Sequence, residues 1–329
     1  MNITVITPAA RHSRSGNRVT AVRWASLLRA LGHRVRVTDS FSPAAVDACI
    51  AIHAFRSADA IAACRDRHPA LPLVVLLAGT DVYHFQHSDP GPTLAAMAAA
   101  DRLVGLHERI GEDIPQRFRE RLRIIHQSAA PLHHARQPSR RSFDVCVVGH
   151  LRAEKDPLLA ARAARALAAG SRVRIVHLGK AYDAHWEAEA RAEMAANPRY
   201  RWRGEVPPAA VRRVFARSHA MVISSRLEGG ANVVSEAIVA RLPVLASRIP
   251  GNVGLLGETH PAYFPPGDAG ALTALLERAE RDPRFLAAVQ YHADARAARF
   301  SPQAERDAWR ALLAELFPQR PQRSPGRVP

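Results

Sequence analysis

The chain alternates short, continuously apolar runs with longer stretches of helical periodicity, and it does so in two series. The first reads ITVIT, a loop PAARHSRSGNR, the helical pattern VTAVRWASLLRALG and HRVRVTD, then VDACIAIHAF, ADAIAACRDR, LPLVVLLAGTD, a helix around TLAAMAAA, DRLVGLH and LRIIHQSA. Apolar runs without polar alternation suit strands buried on both faces, and the intervening helices supply the crossovers that parallel strands need. A polar, basic segment with a proline, HHARQPSRRS, interrupts the pattern as a linker would. FDVCVVGHLR, PLLAARAARALAAG, RVRIVHLG, YDAHWEAEARAEMAAN, YRWRGEV, PAAVRRVFARS, AMVISS and LPVLASR then restart it without repeating the sequence. The expected fold class is α/β, with two Rossmann-like, doubly wound domains over residues 1–137 and 142–290. Helices over 291–317 are expected to pack back across the domain interface, with a disordered tail over 318–329. In such sheets ligands bind at the carboxyl ends of the strands, so the two domains should share a cleft there.

Composition bounds the function. Lys and Arg number 46 against 30 Asp and Glu, a formal charge of +16 that invites a nucleic-acid partner. The arginines are spread along the whole chain without interleaved aromatics or a nucleic-acid module, so a solvated surface explains them and no nucleic acid is implied. Cys49, Cys64 and Cys146 are scattered and lack CxxC spacing, and the pair His133 and His134 has no third ligand at a sensible spacing. Neither a disulfide framework nor a metal site is expected. No apolar run reaches membrane-spanning length and MNITVITP starts directly in a strand, which reads as a cytoplasmic protein without stable membrane association. Lys155 and Lys180 are the only lysines, so a lysine at a strand exit carries information that an arginine does not.

Chemistry-bearing residues gather after strand ends. EGGANVVSE, residues 228–236, follows the strand AMVISS and opens an apolar helix. Glycines and acids there serve as punctuation, or the bare N–H groups of the helix start hold a phosphate while acids accept from sugar hydroxyls. RHSRSGNR follows the first strand; Gly16 and Asn17 enter the helix with anion-site geometry, and Arg11, Arg14 and Arg18 add charge. His53 and Arg56 in AIHAFRS, and Thr80 and Asp81 in LLAGTDVY, also lie past strand ends. Each has a ligand role or a structural one, a core histidine or a turn cap.

SSRLEGGANVVSEAIVARLPVLASRIPGNVGLL resembles the signature of GT-B glycosyltransferases that use nucleotide-activated sugars, with an E-x7-E pair at Glu228 and Glu236. VVGHLRAEKDPLL resembles the same family's G-R-L-x-x-x-K motif, with Gly149 and Lys155 in place. The resemblance implies a GT-B fold, a UDP-sugar donor held by the C-terminal domain and metal-independent transfer without a cofactor. Glu236 would take the ribose hydroxyls and Glu228 would lie near the donor sugar. Gly229, Gly230, Asn232, Val233, Gly149 and Gly179 would surround the donor, and Lys155 would neutralise the departing diphosphate. The family's arginine beside that lysine is His150 here and an arginine stands at Arg152, so either residue would serve the diphosphate. TPAARHSRSGNRVTAVRWASLLRALGHRV, AIHAFRSA, LLAGTDVY and HQSA resemble the selenosugar synthases of selenoneine biosynthesis, a branch of this family. That likeness implies selenophosphate as acceptor, held by the N-terminal candidates, and a functional link to a selenophosphate synthetase. The alternatives are a hydroxyl-acceptor glycosyltransferase and a non-catalytic nucleotide-sugar- or nucleic-acid-binding protein.

Overall fold

The computed structural model describes residues 1–13, 15–41 and 45–318. The first series forms β1 (Asn2–Ile6), α1 (Gly16–Ala30), β2 (Arg34–Thr38), β3 (Ala48–Ile52), α2 (Ala58–Arg67), β4 (Leu73–Leu76), α3 (Gln86–Ser88), α4 (Pro90–Ala99), β5 (Arg102–Gly105) and β6 (Leu122–Ile124). The second forms β7 (Phe143–Val148), α5 (Leu159–Arg165), β8 (Val173–Leu178), α6 (Ala184–Ala196), β9 (Tyr200–Trp202), α7 (Pro208–Arg217), β10 (Ala220–Ile223), α8 (Asn232–Val239), β11 (Val244–Ser247), α9 (Pro250–Leu256) and β12 (Tyr263–Phe264). Helices α10 (Ala269–Arg281), α11 (Pro283–Asp294) and α12 (Pro302–Leu316) complete the chain.

Each series makes one six-stranded sheet, in the orders β2-β1-β3-β4-β5-β6 and β12-β11-β10-β7-β8-β9. Every pairing is parallel, as uninterrupted apolar strands with helical crossovers require. Strands β3, β4, β10 and β11 are buried at every position, with helices on both faces. Both sheets reverse strand order beside their first strand, so the loops after β1, β3, β7 and β10 surround the crevices where such sheets bind ligands.

The last described helix packs on the first domain rather than the second. Helix α12 is capped by Ser301 Oγ, which accepts from the Ala304 N–H at 3.1 Å, and lays Trp309 edge-on to Trp24 of α1 with ring centroids 4.7 Å apart. Glu305 fixes this return. Its buried carboxylate accepts from Trp24 Nε1 at 2.8 Å, Arg23 Nε at 3.3 Å and the Ser128 N–H at 2.8 Å. The segment read as a linker is pinned too: Arg136 donates to the carbonyls of Arg241 and Ser218, and the Gln137 N–H to that of Ala216. Among the described residues no helix is long and apolar enough to cross a membrane. Of the expected tail, residues 319–329 lie outside the described residues.

Removing the Glu305 carboxylate would strand Arg23 and two buried N–H donors. Glu305→Ala should lower unfolding free energy by about 3 kcal/mol, the loss typical of breaking a buried pair. Urea denaturation of the variant checks this; an unchanged midpoint would contradict the clamp.

Candidate functional site

The first wall of the site is built where β7 and β10 end. After Val148 the chain passes Gly149 and His150 into a 3-10 turn, Ala153–Lys155, and then Asp156 at a left-handed φ of +41°. An L-residue there needs support, and Asp156 has it: its carboxylate accepts from Arg162 at 2.7 Å and Arg226 at 3.0 Å. Ser224 Oγ donates to the Lys155 and Asp156 carbonyls at 3.0 Å each, and the Arg226 N–H to that of Glu154 at 2.8 Å. The exit of β10 therefore clips the turn that carries Lys155. Its ammonium pairs with Glu228 Oε1, which also accepts from Ser225 Oγ at 2.6 Å. Glu228 is buried and Lys155 is only partly covered, so the pair is fixed from the acid's side. With three donors on the ammonium, Lys155 keeps capacity for a second anion entering the cleft.

The neighbouring strand exits are equally constrained. A Cβ on Gly179 would collide with the Gly149 carbonyl, so β7 and β8 end in backbone contact. Beneath them His177 Nε2 lies 3.1 Å from the Gly149 oxygen and Nδ1 2.9 Å from Tyr200 Oη. Burial pushes His177 down to about 4, so at neutral pH the ring is uncharged, with Nε2–H donating to Gly149 and Nδ1 accepting from Tyr200. His150 Nδ1 accepts from the Lys180 N–H at 3.1 Å, and burial, aided by Arg152, holds its pKa below the ordinary value. Arg152 itself pairs with Glu154 at 3.1 Å.

On helix α8, Asn232 Oδ1 accepts from Arg23 Nη1 of the first domain at 2.8 Å. Glu236 remains reachable by solvent at the concave cleft wall, yet the protein crowded around it displaces enough water to raise its pKa above the ordinary carboxylate value; Arg23 and Arg212 oppose the rise.

The first domain meets this wall through glycines. A Cβ on Gly79 would stand 2.9 Å from the Glu228 carbonyl carbon, and one on Gly229 2.9 Å from that of Ala78, so the two loops touch backbone to backbone. Beside this contact His53 holds a left-handed φ of +76°. Its Nδ1 is 2.6 Å from Asp81 Oδ1 and its Nε2 2.9 Å from Thr80 Oγ1. The Arg56 N–H approaches the same Nδ1 at 3.2 Å. Asp81 is fully buried and accepts from the Ala54, Phe55 and Ala78 N–H groups at 2.8–2.9 Å.

A cleft of about 1050 Å³ joins these parts. The structure brings Gly149, His150, Arg152, Lys155, Gly179 and Glu228 to its lining, with Gly229, Gly230, Asn232, Val233 and Glu236 alongside. Opposite them lie Gly16, Asn17, His53, Arg56 and Thr80. Three expectations need correction. Arg11 and Arg18 are not among the lining residues, because the loop after β1 presents Ser13, Ser15 and Gly16 to the cleft instead. Asp81 does not reach it either, since its oxygens are occupied by backbone and His53. Arg14 lies outside the described residues. Arg23, Arg212, Ser225 and Asp156 were missed: arginine and serine are common in this chain, and only the fold gives these their partners. Among the described residues no cluster of three or more His, Cys, Asp or Glu side chains is placed to hold a metal ion.

The sequence matches the family model of glycosyl transferases group 1 over residues 132–297, half of the chain. The chain belongs to that family. Solved structures with the same architecture include sucrose-phosphate synthase from Thermosynechococcus elongatus, 16% identical with a TM-score of 0.79, covering 96% of this chain and 99% of that one. HepE from Anabaena, solved with UDP, is 15% identical with a TM-score of 0.77 over 95% of this chain and 99% of its own. The lipopolysaccharide outer core galactosyltransferase WaaB in its apo form is 14% identical with a TM-score of 0.67 over 96% of this chain and all of its own. No curated protein matches by sequence. At these identities the structural likeness establishes the fold, which is GT-B, and the family match makes the protein a glycosyltransferase of group 1.

The neutral, buried His177 links the site to acid stability. Its folded pKa of about 4 lies below the ordinary 6.5, so its contribution is complete above pH 6.5 and is lost as pH falls through 4. The shift corresponds to roughly 3 kcal/mol. His177→Gln should remove that share, so the difference in unfolding free energy between variant and wild type should change between pH 6.5 and pH 4. A pH-independent difference in denaturant melts would contradict the assignment.

Proposed function

We propose that the protein transfers a sugar from a UDP-sugar, UDP-N-acetylglucosamine or UDP-glucose, to selenophosphate and releases UDP. The observation that carries this reading is the Lys155–Glu228 pair, clipped from behind by Ser224 and Ser225 and facing a cleft between two strand-end surfaces. Lys155 is the cation placed to meet a leaving diphosphate, where charge grows as the glycosidic bond breaks; such a group lowers the barrier more than it strengthens ground-state binding. Glu236, eight residues on, stands on the same wall and would accept from the ribose hydroxyls. HepE, of the same fold, is solved with UDP and with UDP-glucose, which supports the uridine diphosphate donor. The selenium acceptor is supported by the motif texture of both domains.

In the transfer, selenium forms a bond to C1 while the bond from C1 to the diphosphate oxygen breaks and its electron pair leaves with UDP. Water then splits phosphorus from selenium, giving phosphate and the selenosugar. Contact between the domains narrows the access of bulk water, so hydrolysis of the donor is the slower side reaction. No metal is invoked.

A second reading keeps the donor and replaces the acceptor by a hydroxyl on a partly apolar molecule. The outer face of α1 favours it: Val19 and Val22 are 44% and 49% exposed, and Val19 lines the cleft. The protein incubated with UDP-N-acetylglucosamine or UDP-glucose and selenophosphate, in chelator, should release UDP and give a selenosugar mass. Lys155→Ala should lower kcat about 100-fold or more with a smaller effect on donor KM. Selenophosphate-independent UDP release without a selenium product would move the assignment to the hydroxyl reading.

A further inference from the structure

The first domain contains a side-chain chain that donor binding does not use. His53 ends β3 at φ +76°, a conformation that costs a non-glycine residue about 1–2 kcal/mol. The turn holds the imidazole in one place. Two groups compete for Nδ1: Asp81 Oδ1 at 2.6 Å, which needs a proton on it, and the Arg56 N–H at 3.2 Å, which needs it bare. The shorter contact to a carboxylate decides, because a bare nitrogen there would set two lone pairs against each other, and the Arg56 N–H then has no acceptor on the ring. Asp81 cannot turn away, since its oxygens also hold the Ala54, Phe55 and Ala78 N–H groups. With Nδ1 protonated, the neutral ring presents Nε2 as an acceptor, and Thr80 Oγ1, 2.9 Å away, donates to it. Among the described residues the Thr80 hydroxyl has no other hydrogen-bond partner, and both Thr80 and His53 line the cleft. Gly79, next to Thr80, touches the Glu228–Gly229 backbone, and Thr80 and Glu228 line the same cleft.

We propose that Thr80, His53 and Asp81 form a proton relay serving the acceptor. This rests on the reading that acceptor and donor sugar meet beside Glu228. As the acceptor's nucleophilic atom bonds to C1 and UDP leaves with the electron pair of the broken C1–O bond, the acceptor's proton passes to Thr80 Oγ1. The Thr80 proton moves to His53 Nε2, and Asp81 balances the imidazolium without taking a proton. The step is the same for hydrogen selenophosphate, an alcohol or water. Asp81 lies behind the ring, and the charged residues that line the cleft with His53 and Thr80 are Arg56, Arg152, Glu154, Lys155, Glu205, Arg212, Glu228 and Glu236.

The left-handed backbone makes a clean test available. Glycine accepts φ +76° without strain, so His53→Gly removes the ring and leaves space for free imidazole. The variant should release UDP about 100-fold or more slowly, the range for lost general-base help, with donor KM little changed. Added imidazole should restore part of the rate in His53→Gly and none in Lys155→Ala. Thr80→Val should be impaired and Thr80→Ser should not. The rate is read with selenophosphate or, where selenophosphate gives no turnover, as hydrolysis of the UDP-sugar by water. Nitrogen-15 NMR of the ligand-free protein, which needs no acceptor, should show His53 protonated at Nδ1 and bare at Nε2 when neutral. An Nε2–H tautomer, or His53→Gly loss that imidazole leaves untouched, overturns the relay whatever the acceptor proves to be.

Discussion

Gly79 and Gly229 meet backbone against backbone, and the rest of the site depends on that contact. A side chain on either residue would overlap main-chain atoms of the other loop, so the approach exists only because both positions are glycine. It draws the exit of β4 onto the loop between β10 and α8. One consequence is that residues separated by most of the chain's length face a single cleft. Lys155, Glu228 and Glu236 come from one sheet, Thr80 and His53 from the other. Neither set encloses a ligand alone.

Support for the contact is distributed through the molecule. The Glu305 clamp returns α12 to α1, and the same Arg23 that pairs with Glu305 reaches Asn232 at the head of α8. The first helix is thus tied to α12 and to the second domain. On the other side of the interface, Arg109 pairs with Glu258, and the His107 ring lies against Gly254 of α9 with no room for a Cβ. Burial pushes His107 down to about 4, so its ring stays uncharged at neutral pH beside the Arg109–Glu258 pair. Domains joined this way meet through interlocked backbone as well as polar side chains.

Much of the architecture was legible because it is written locally. Apolar runs mark the strands, the restart at FDVCVVGHLR marks the second sheet, and the family resemblance carried by Lys155, Glu228 and Glu236 points to one wall of the cleft. Long-range pairings were not legible. Nothing in the sequence around Glu305 or Arg136 distinguishes a buried clamp from a surface charge, and HHARQPSRRS reads as a loose linker although Arg136 is anchored. Arg11 and Arg18 looked like anion ligands because they flank a helix start, but helix geometry turns Ser15 and Gly16 inward. His53 and Asp81 were separate candidates with equal structural explanations. Only their 2.6 Å separation makes them one unit, with His53 as the member that faces the cleft.

On the proposed function, the second domain binds a uridine diphosphate through Glu236 while Lys155 takes the diphosphate. Calorimetric titration of UDP and of uridine, in chelator, into wild type, Glu236→Ala and Lys155→Ala tests it most directly. The wild type should bind UDP saturably, and Glu236→Ala should weaken that binding about tenfold or more, the loss expected for a charge-assisted hydrogen bond. Lys155→Ala should weaken UDP and leave uridine unchanged, whereas Glu236→Ala should weaken both. No UDP binding by the folded protein, or binding indifferent to both substitutions, would contradict it.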